Sequence, residues 1–131
     1  MLIYLASALS NRTLNAQLSD LITSMGYECF LPQRDAPQET VGAVTAKVNA
    51  DAIKKSDVVL VVSQGLGIDT SWEAGYATAL GKETILLCAN SHSVEKHYMV
   101  FHSSSRIVQF STRSDLRSKL SKALHSCAEL L

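Results

Sequence analysis

The sequence predicts an α/β protein in three layers, a five-stranded parallel sheet with helices on both faces. Three observations carry that expectation. Short apolar runs alternate along the chain with segments whose apolar residues recur every three or four positions, the pattern of repeated strand–helix units. The run Val58-Val59-Leu60-Val61-Val62 has no polar interruption, which suits a parallel strand covered on both sides. The 131 residues, 47 % apolar and 18 % charged, form one globular domain over 1–131, long enough to bury roughly two-thirds of the unfolded surface.

Each element follows from local pattern. Leu2–Ala6 reads as a buried strand. Leu14, Leu18, Leu21, Ile22 and Met25 stripe a helix that Gly26 ends. Cys29-Phe30-Leu31 is a second strand, halted by Pro32, and a loop Gln33–Thr40 leads to a helix marked by Val41, Val44, Val48 and Ile53. Asp57–Val62 is the third strand. Helix Ser71–Leu80 follows, with Gly81 as its left-handed stop. Thr84–Ala89 and Ile107–Phe110 are strands four and five, joined by a crossover. Leu116, Leu120, Ala123, Leu124 and Cys127 stripe a last helix capped by Ser114. The expected strand order is 2-1-3-4-5, a flavodoxin-like (Rossmann-like) sandwich with its switch point between strands one and three.

Composition excludes several classes. Twelve basic side chains balance twelve acidic ones, so there is no footprint for nucleic acid or an anionic membrane. Cys29, Cys88 and Cys127 are odd in number and lack metal or redox spacing, which fits free thiols in a reducing cytoplasm. His92, His102 and His125 form no metal-binding pattern with carboxylates. Neither a metal nor a cofactor is expected. No apolar run is long enough for a membrane span, and Met1–Ala8 lacks the basic start of a signal peptide. A cytoplasmic protein is expected.

The chemistry concentrates in Asp69-Thr70-Ser71-Trp72-Glu73-Ala74-Gly75-Tyr76-Ala77, at the carboxyl end of a strand, where open α/β sheets bind ligands. Two readings of Glu73 stand. It is a nucleophile in the first helical turn, kept ionised by the helix dipole, or the N3 member of a Thr70–Glu73 capping box. Gly75 costs roughly 1 kcal/mol inside a helix, a cost that close approach of a strand or ligand would offset. The loops Ser7–Arg12, Pro32–Asp35, Ser63–Glu73 and Ala89–Tyr98 should meet at the same sheet edge.

With these segments placed, the chain resembles the nucleoside 2-deoxyribosyltransferase family and its relatives that hydrolyse nucleotide N-glycosidic bonds. The resemblance runs through Ile3-Tyr4-Leu5-Ala6, Phe30-Leu31-Pro32-Gln33-Arg34-Asp35, Ile53-x-x-Ser56-Asp57-Val58-Val59, Trp72–Ala77 and Gly81-Lys82. It implies that Glu73 attacks C1′ of a 2′-deoxynucleoside, expels the base and forms a glycosyl-enzyme, which a second base or water resolves. It also implies that the Tyr4 hydroxyl orients that glutamate; the alternative for Tyr4 is a core aromatic bonded elsewhere.

Three positions depart from the family pattern. Asn49 stands where the best-known transferases carry an aspartate that protonates the base, and Asp51, about 200° around the helix, cannot replace it. Gly67 occupies the place of a sugar-binding aspartate, so Asp69 either takes that role or caps the helix. An Asn-x-Met reads here as His97-Tyr98-Met99. His97 binds substrate, meets a neighbouring subunit, or is solvated. Water, Asp35 or His97 is then left to protonate the base. Ser7 and Arg12 open the first helix, where a 5′-phosphate would fit; the plain alternative for Arg12 is a solvated residue. Substrate contacts are expected from Asp69, Ser7, Arg12, Gln33, Asp35, Asn49, His97 and Met99. The partners implied are a deoxynucleoside or deoxynucleotide, a nucleobase and a second copy of the chain.

Hydrolysis of a nucleoside 5′-monophosphate is the alternative activity, and a flavodoxin-like or receiver-like binding module the alternative class. A receiver needs acids after strand one and an aspartate after strand three, and Ala6-Ser7-Ala8 and Ser63-Gln64-Gly65 have neither. A dinucleotide fold needs a glycine-rich first loop, which is absent here.

Overall fold

The computed structural model describes residues 1–38, 42–90 and 93–131. Its elements are β1 (Leu2–Ala6), α1 (Arg12–Ser24, entered through a 3-10 turn Leu9–Asn11), β2 (Glu28–Phe30), α2 (Pro32–Asp35), α3 (Ala43–Lys55), β3 (Val58–Val62), α4 (Ile68–Ala79), β4 (Glu83–Ala89), α5 (Tyr98–Ser103), β5 (Arg106–Phe110) and α6 (Arg113–Ala128). All strands pair in parallel in the order β2-β1-β3-β4-β5, as expected. Val41 and His92, named above from the sequence, lie outside the described residues.

Strand alternation sorts the core into two layers. Ile3, Leu5, Val58, Leu60, Val62, Ile85 and Leu87 face Leu18 and Ile22 of α1 and Leu116, Leu120 and Leu124 of α6. Tyr4, Ala6, Val59, Val61 and Leu86 face Ala52 and Ile53 of α3 and Ala74 and Ala77 of α4. The second layer is built on small helical residues, and it is the layer into which Tyr4 projects.

Several of the short pieces that carry the resemblance turn out to be joinery. The Asp57 carboxylate accepts from the Leu2 amide at 2.8 Å while the Asp57 amide donates to the Leu2 carbonyl, also at 2.8 Å, which fixes the register of β1 on β3. Ser56 Oγ donates to the Ile53 carbonyl and Lys82 Nζ to that of Lys54, so both close the end of α3. Gly81, at φ +72°, completes a Schellman stop: Lys82 N donates to Ala77 O and Gly81 N to Thr78 O, each at 3.0 Å.

Boundaries shift in three instructive places. α4 begins at Ile68 with Gly67 as N-cap, a turn earlier than Ser71, because Ile68 and Asp69 already hold helical geometry. The cap of α6 is Thr112, which accepts from Asp115 N at 3.1 Å, rather than Ser114. Pro32 does not open a loop but starts the short helix α2, its fixed φ suiting the first helical position.

Candidate active site

Glu73 is the sixth residue of α4, so it sits in the second turn and forms no capping box. Its carboxylate reaches down to the sheet, where the Tyr4 hydroxyl donates to Oε2. Tyr4 is fully buried, and its ring stacks on Phe30 with centroids 5.5 Å apart and planes 10° from parallel. The core-aromatic alternative and the orienting one are thus joined: the ring packs in the core and the hydroxyl meets the glutamate. Burial, then the charge and hydrogen bond of Glu73, push the Tyr4 pKa up, so Tyr4 remains a donor at any physiological pH.

The expectation that the helix dipole favours ionised Glu73 rested on a first-turn position, and Glu73 lies in the second turn. Its pKa is pushed up to about 7, chiefly by loss of hydration, with the Tyr4 hydrogen bond opposing and the Asp69 charge adding. The dipole acts within the first turn, and Glu73 is one turn deeper. Asp69, four residues earlier and therefore on the same helical face, is exposed. It lies inside α4 rather than at its N-cap, which removes the capping alternative.

Around this pair the loops are tied together by amides that the sequence reading passed over. Asn11 and Asn15 are both buried. Asn11 Nδ2 donates to Ser7 Oγ at 3.1 Å and to the Gln64 carbonyl at 2.7 Å, joining the loops after β1 and β3. Asn15 Nδ2 donates to the Ala8 carbonyl and to Gln33 Oε1, and Gln33 Nε2 donates to the Arg12 carbonyl. Ser7 and Gln33 thus brace the site's framework. A signal was available: Asn11 and Asn15 continue the Leu18–Ile22 spacing backward, as polar residues on a buried stripe.

The other expected residues divide. Asn49 lies half-buried on α3, which packs on β1 and α4, and its Oδ1 is buried without a hydrogen-bond partner among the described residues. Asp51 pairs instead with Lys47 at 3.6 Å. Asp35 accepts from Leu31 N at 2.9 Å and pairs with Arg34 at 2.7 Å. Arg34 and that amide hold its carboxyl below the usual range, which makes it a poor proton donor. Arg12 is exposed at the head of α1. His97 is the N-cap residue of α5, with Met99 exposed in its first turn. Among the described residues no hydrogen bond or ion pair links Arg12, Gln33, His97 or Met99 to Glu73. Gly75 has open space where a side chain would stand, so no strand presses against it.

The comparisons with known proteins bear on the fold and the family. The solved structure of a 2-deoxyribosyltransferase from Bacillus psychrosaccharolyticus is similar at a TM-score of 0.72 and 20 % identity, over 89 % of this chain and 90 % of that one. The CMP N-glycosidase of Clostridium botulinum is similar at 0.61 and 20 %, over 95 % and 99 %. A conserved protein from Enterococcus faecalis V583 is similar at 0.73 and 19 %, over 94 % and 98 %. At these identities the likeness is one of fold. No curated protein matches the chain significantly. The family model described as nucleoside 2-deoxyribosyltransferase matches residues 3–116, and with most of its length so matched the chain belongs to the nucleoside 2-deoxyribosyltransferase family.

Proposed function

We propose that the protein cleaves the N-glycosidic bond of 2′-deoxynucleosides through a deoxyribosyl-Glu73 intermediate and transfers the sugar to another nucleobase. The hydrogen bond from the buried Tyr4 to Glu73 carries this reading, because it fixes one carboxylate oxygen and leaves the other for attack. The free oxygen of Glu73 bonds to C1′ as the C1′–N bond breaks, and the electron pair of that bond leaves with the base, which takes up a proton from water. An acceptor base then displaces Glu73 from C1′ and releases its own proton. Asp69 binds the sugar and Asn49 the base, which it holds by hydrogen bonding without protonating it. A burst of free base equal to the enzyme, with a deoxyribosyl adduct on the intact protein that is absent in Glu73→Gln, tests the reading. Base release by Glu73→Ala at the parent rate would end it.

Hydrolysis of a 5′-monophosphate is the second reading, favoured by exposed Arg12 at the head of α1, where backbone amides and a guanidinium suit a phosphate. Arg12→Ala should then weaken monophosphates by about 1.5–3 kcal/mol and spare nucleosides. Equal effects on both would remove the phosphate site.

A further inference from the structure

One concavity of the molecule lies away from Glu73. It is an open groove of about 620 Å³ between the outer edge of β5 and α6, lined by Arg106, Ile107, Gln109, Lys119, Lys122 and Ser126 among others. α6 packs on the sheet face opposite to α4, and β5 is the last strand of the sheet, so nothing in the proposed reaction uses this place.

Two features of the groove are independent of each other. The first is backbone. Asn90 N donates to Phe110 O, so Phe110 points its carbonyl toward β4, and alternation then turns Val108 and Arg106 the same way. Ile107 and Gln109 therefore present their amides and carbonyls to the open edge. Lys119 Nζ covers the Gln109 carbonyl at 2.8 Å, which shields one end of the edge and leaves both groups of Ile107 and the Gln109 amide facing the groove. The second is charge. In a chain with twelve bases and twelve acids, α6 carries Arg113, Arg117, Lys119 and Lys122 against Asp115 alone. Three lining side chains are cationic and none is acidic. Lys119 is shared with Asp115 at 3.2 Å, Arg106 Nε stands 3.9 Å from Glu83 without a hydrogen-bond partner among the described residues, and Lys122 forms no ion pair among them.

We propose that this groove docks an extended, acid-rich polypeptide segment, which adds to β5 as a sixth strand while its carboxylates meet Arg106, Lys119 and Lys122. An open strand edge supplies main-chain affinity and the flanking side chains supply selectivity. A second copy of this chain is a poor occupant, since it would bring the same cations face to face. A nucleic acid would satisfy the charges and leave the strand edge unused.

The test uses the whole protein and a fluorescent peptide of about nine residues alternating glutamate and threonine, a length that spans β5 with overhang. Anisotropy should show binding that falls about tenfold when the central threonine is replaced by proline, which keeps the charge and removes a ladder donor. Lys122→Glu should weaken binding by a similar factor and leave base release from deoxynucleosides unchanged. Hydrogen exchange at the Ile107 and Gln109 amides should slow on binding. Equal affinity for the proline peptide or for an oligothymidylate, binding without protection of Ile107, or no binding at all would overturn the proposal.

Discussion

Burying a carboxylate is costly unless hydrogen bonds or opposite charge offset the lost hydration, and Glu73 receives one hydroxyl from Tyr4 with a like charge at Asp69. The balance raises its pKa from 4.5 to about 7, and two consequences follow. Across that window the unfolded chain has released a proton that the folded one retains, so stability declines as pH rises and levels off above pH 7. The penalty at pH 8 is about 3 kcal/mol at most. Glu73→Gln keeps the shape and the acceptor without the charge. It should match the parent near pH 4 and exceed it by about 1–3 kcal/mol at pH 8, while losing base release. Thermal unfolding at the two pH values checks this, and an equal gap at both would be the contrary result. Activity that depends on ionised Glu73 should rise through about pH 7. Tyr4→Phe should cut the rate ten- to a hundredfold and move that rise to higher pH, since the hydroxyl is what lowers the Glu73 pKa; an unmoved profile would separate the hydroxyl from the chemistry. None of this electrostatics was legible in the sequence. Spacing put Glu73 near a helix start, but its hydration depends on which strand residue lies beneath it, and that is set by tertiary packing.

Elements were easier to read than their ends. Periodicity found every strand and the long helices because each buries a stripe against the sheet. Caps depend on single side-chain geometries, and there the sequence offered competitors. Thr70-Ser71-Trp72-Glu73 has the form of a capping box, yet α4 starts before it and Thr70 is buried within the helix. Ser114 was the expected cap of α6, but Thr112 Oγ1 accepts from Asp115 N at 3.1 Å, and the Asp115 carboxylate accepts from Ser111 N, one residue before that cap, at 2.9 Å. Thr112→Ala should cost about 1 kcal/mol of stability and Ser114→Ala only a few tenths, measured by urea unfolding. The reverse order would return the cap to Ser114. Gly81 shows the opposite case, a stop that was legible because a left-handed end favours glycine so strongly.

At the scale of the whole molecule, sheet order follows from chain order and handed crossovers, and it explains why the loops after β1 and β3 meet beside Glu73. The Tyr76–Ala79 end of α4 is only partly outward: Ala77 is fully buried, while Thr78 and Ala79 are exposed. The outward apolar residues are Ile68, 89 % exposed, and Trp72, 57 % exposed and stacked on Tyr76 at 5.0 Å. Gly75 lies between them and the helix end with open space above it. Tyr98 and Met99, 66 % and 72 % exposed, stand on the adjoining α5. α4 carries no basic residue, so little desolvation of cations opposes covering this face. We propose that two copies bury it in an isologous dimer, with α4 crossing its mate near Gly75, where the missing side chain permits close approach. A stable pair needs about 800 Å² from each partner, and the aromatic residues supply much of such an area. Light scattering at low micromolar concentration should give twice the 14.2 kDa chain mass. Trp72→Asp should shift the protein to monomer and reduce base release, since an opened face admits water beside Glu73. A Trp72→Asp monomer with parental activity would confine the dimer to a structural role, and a monomeric parent would remove it.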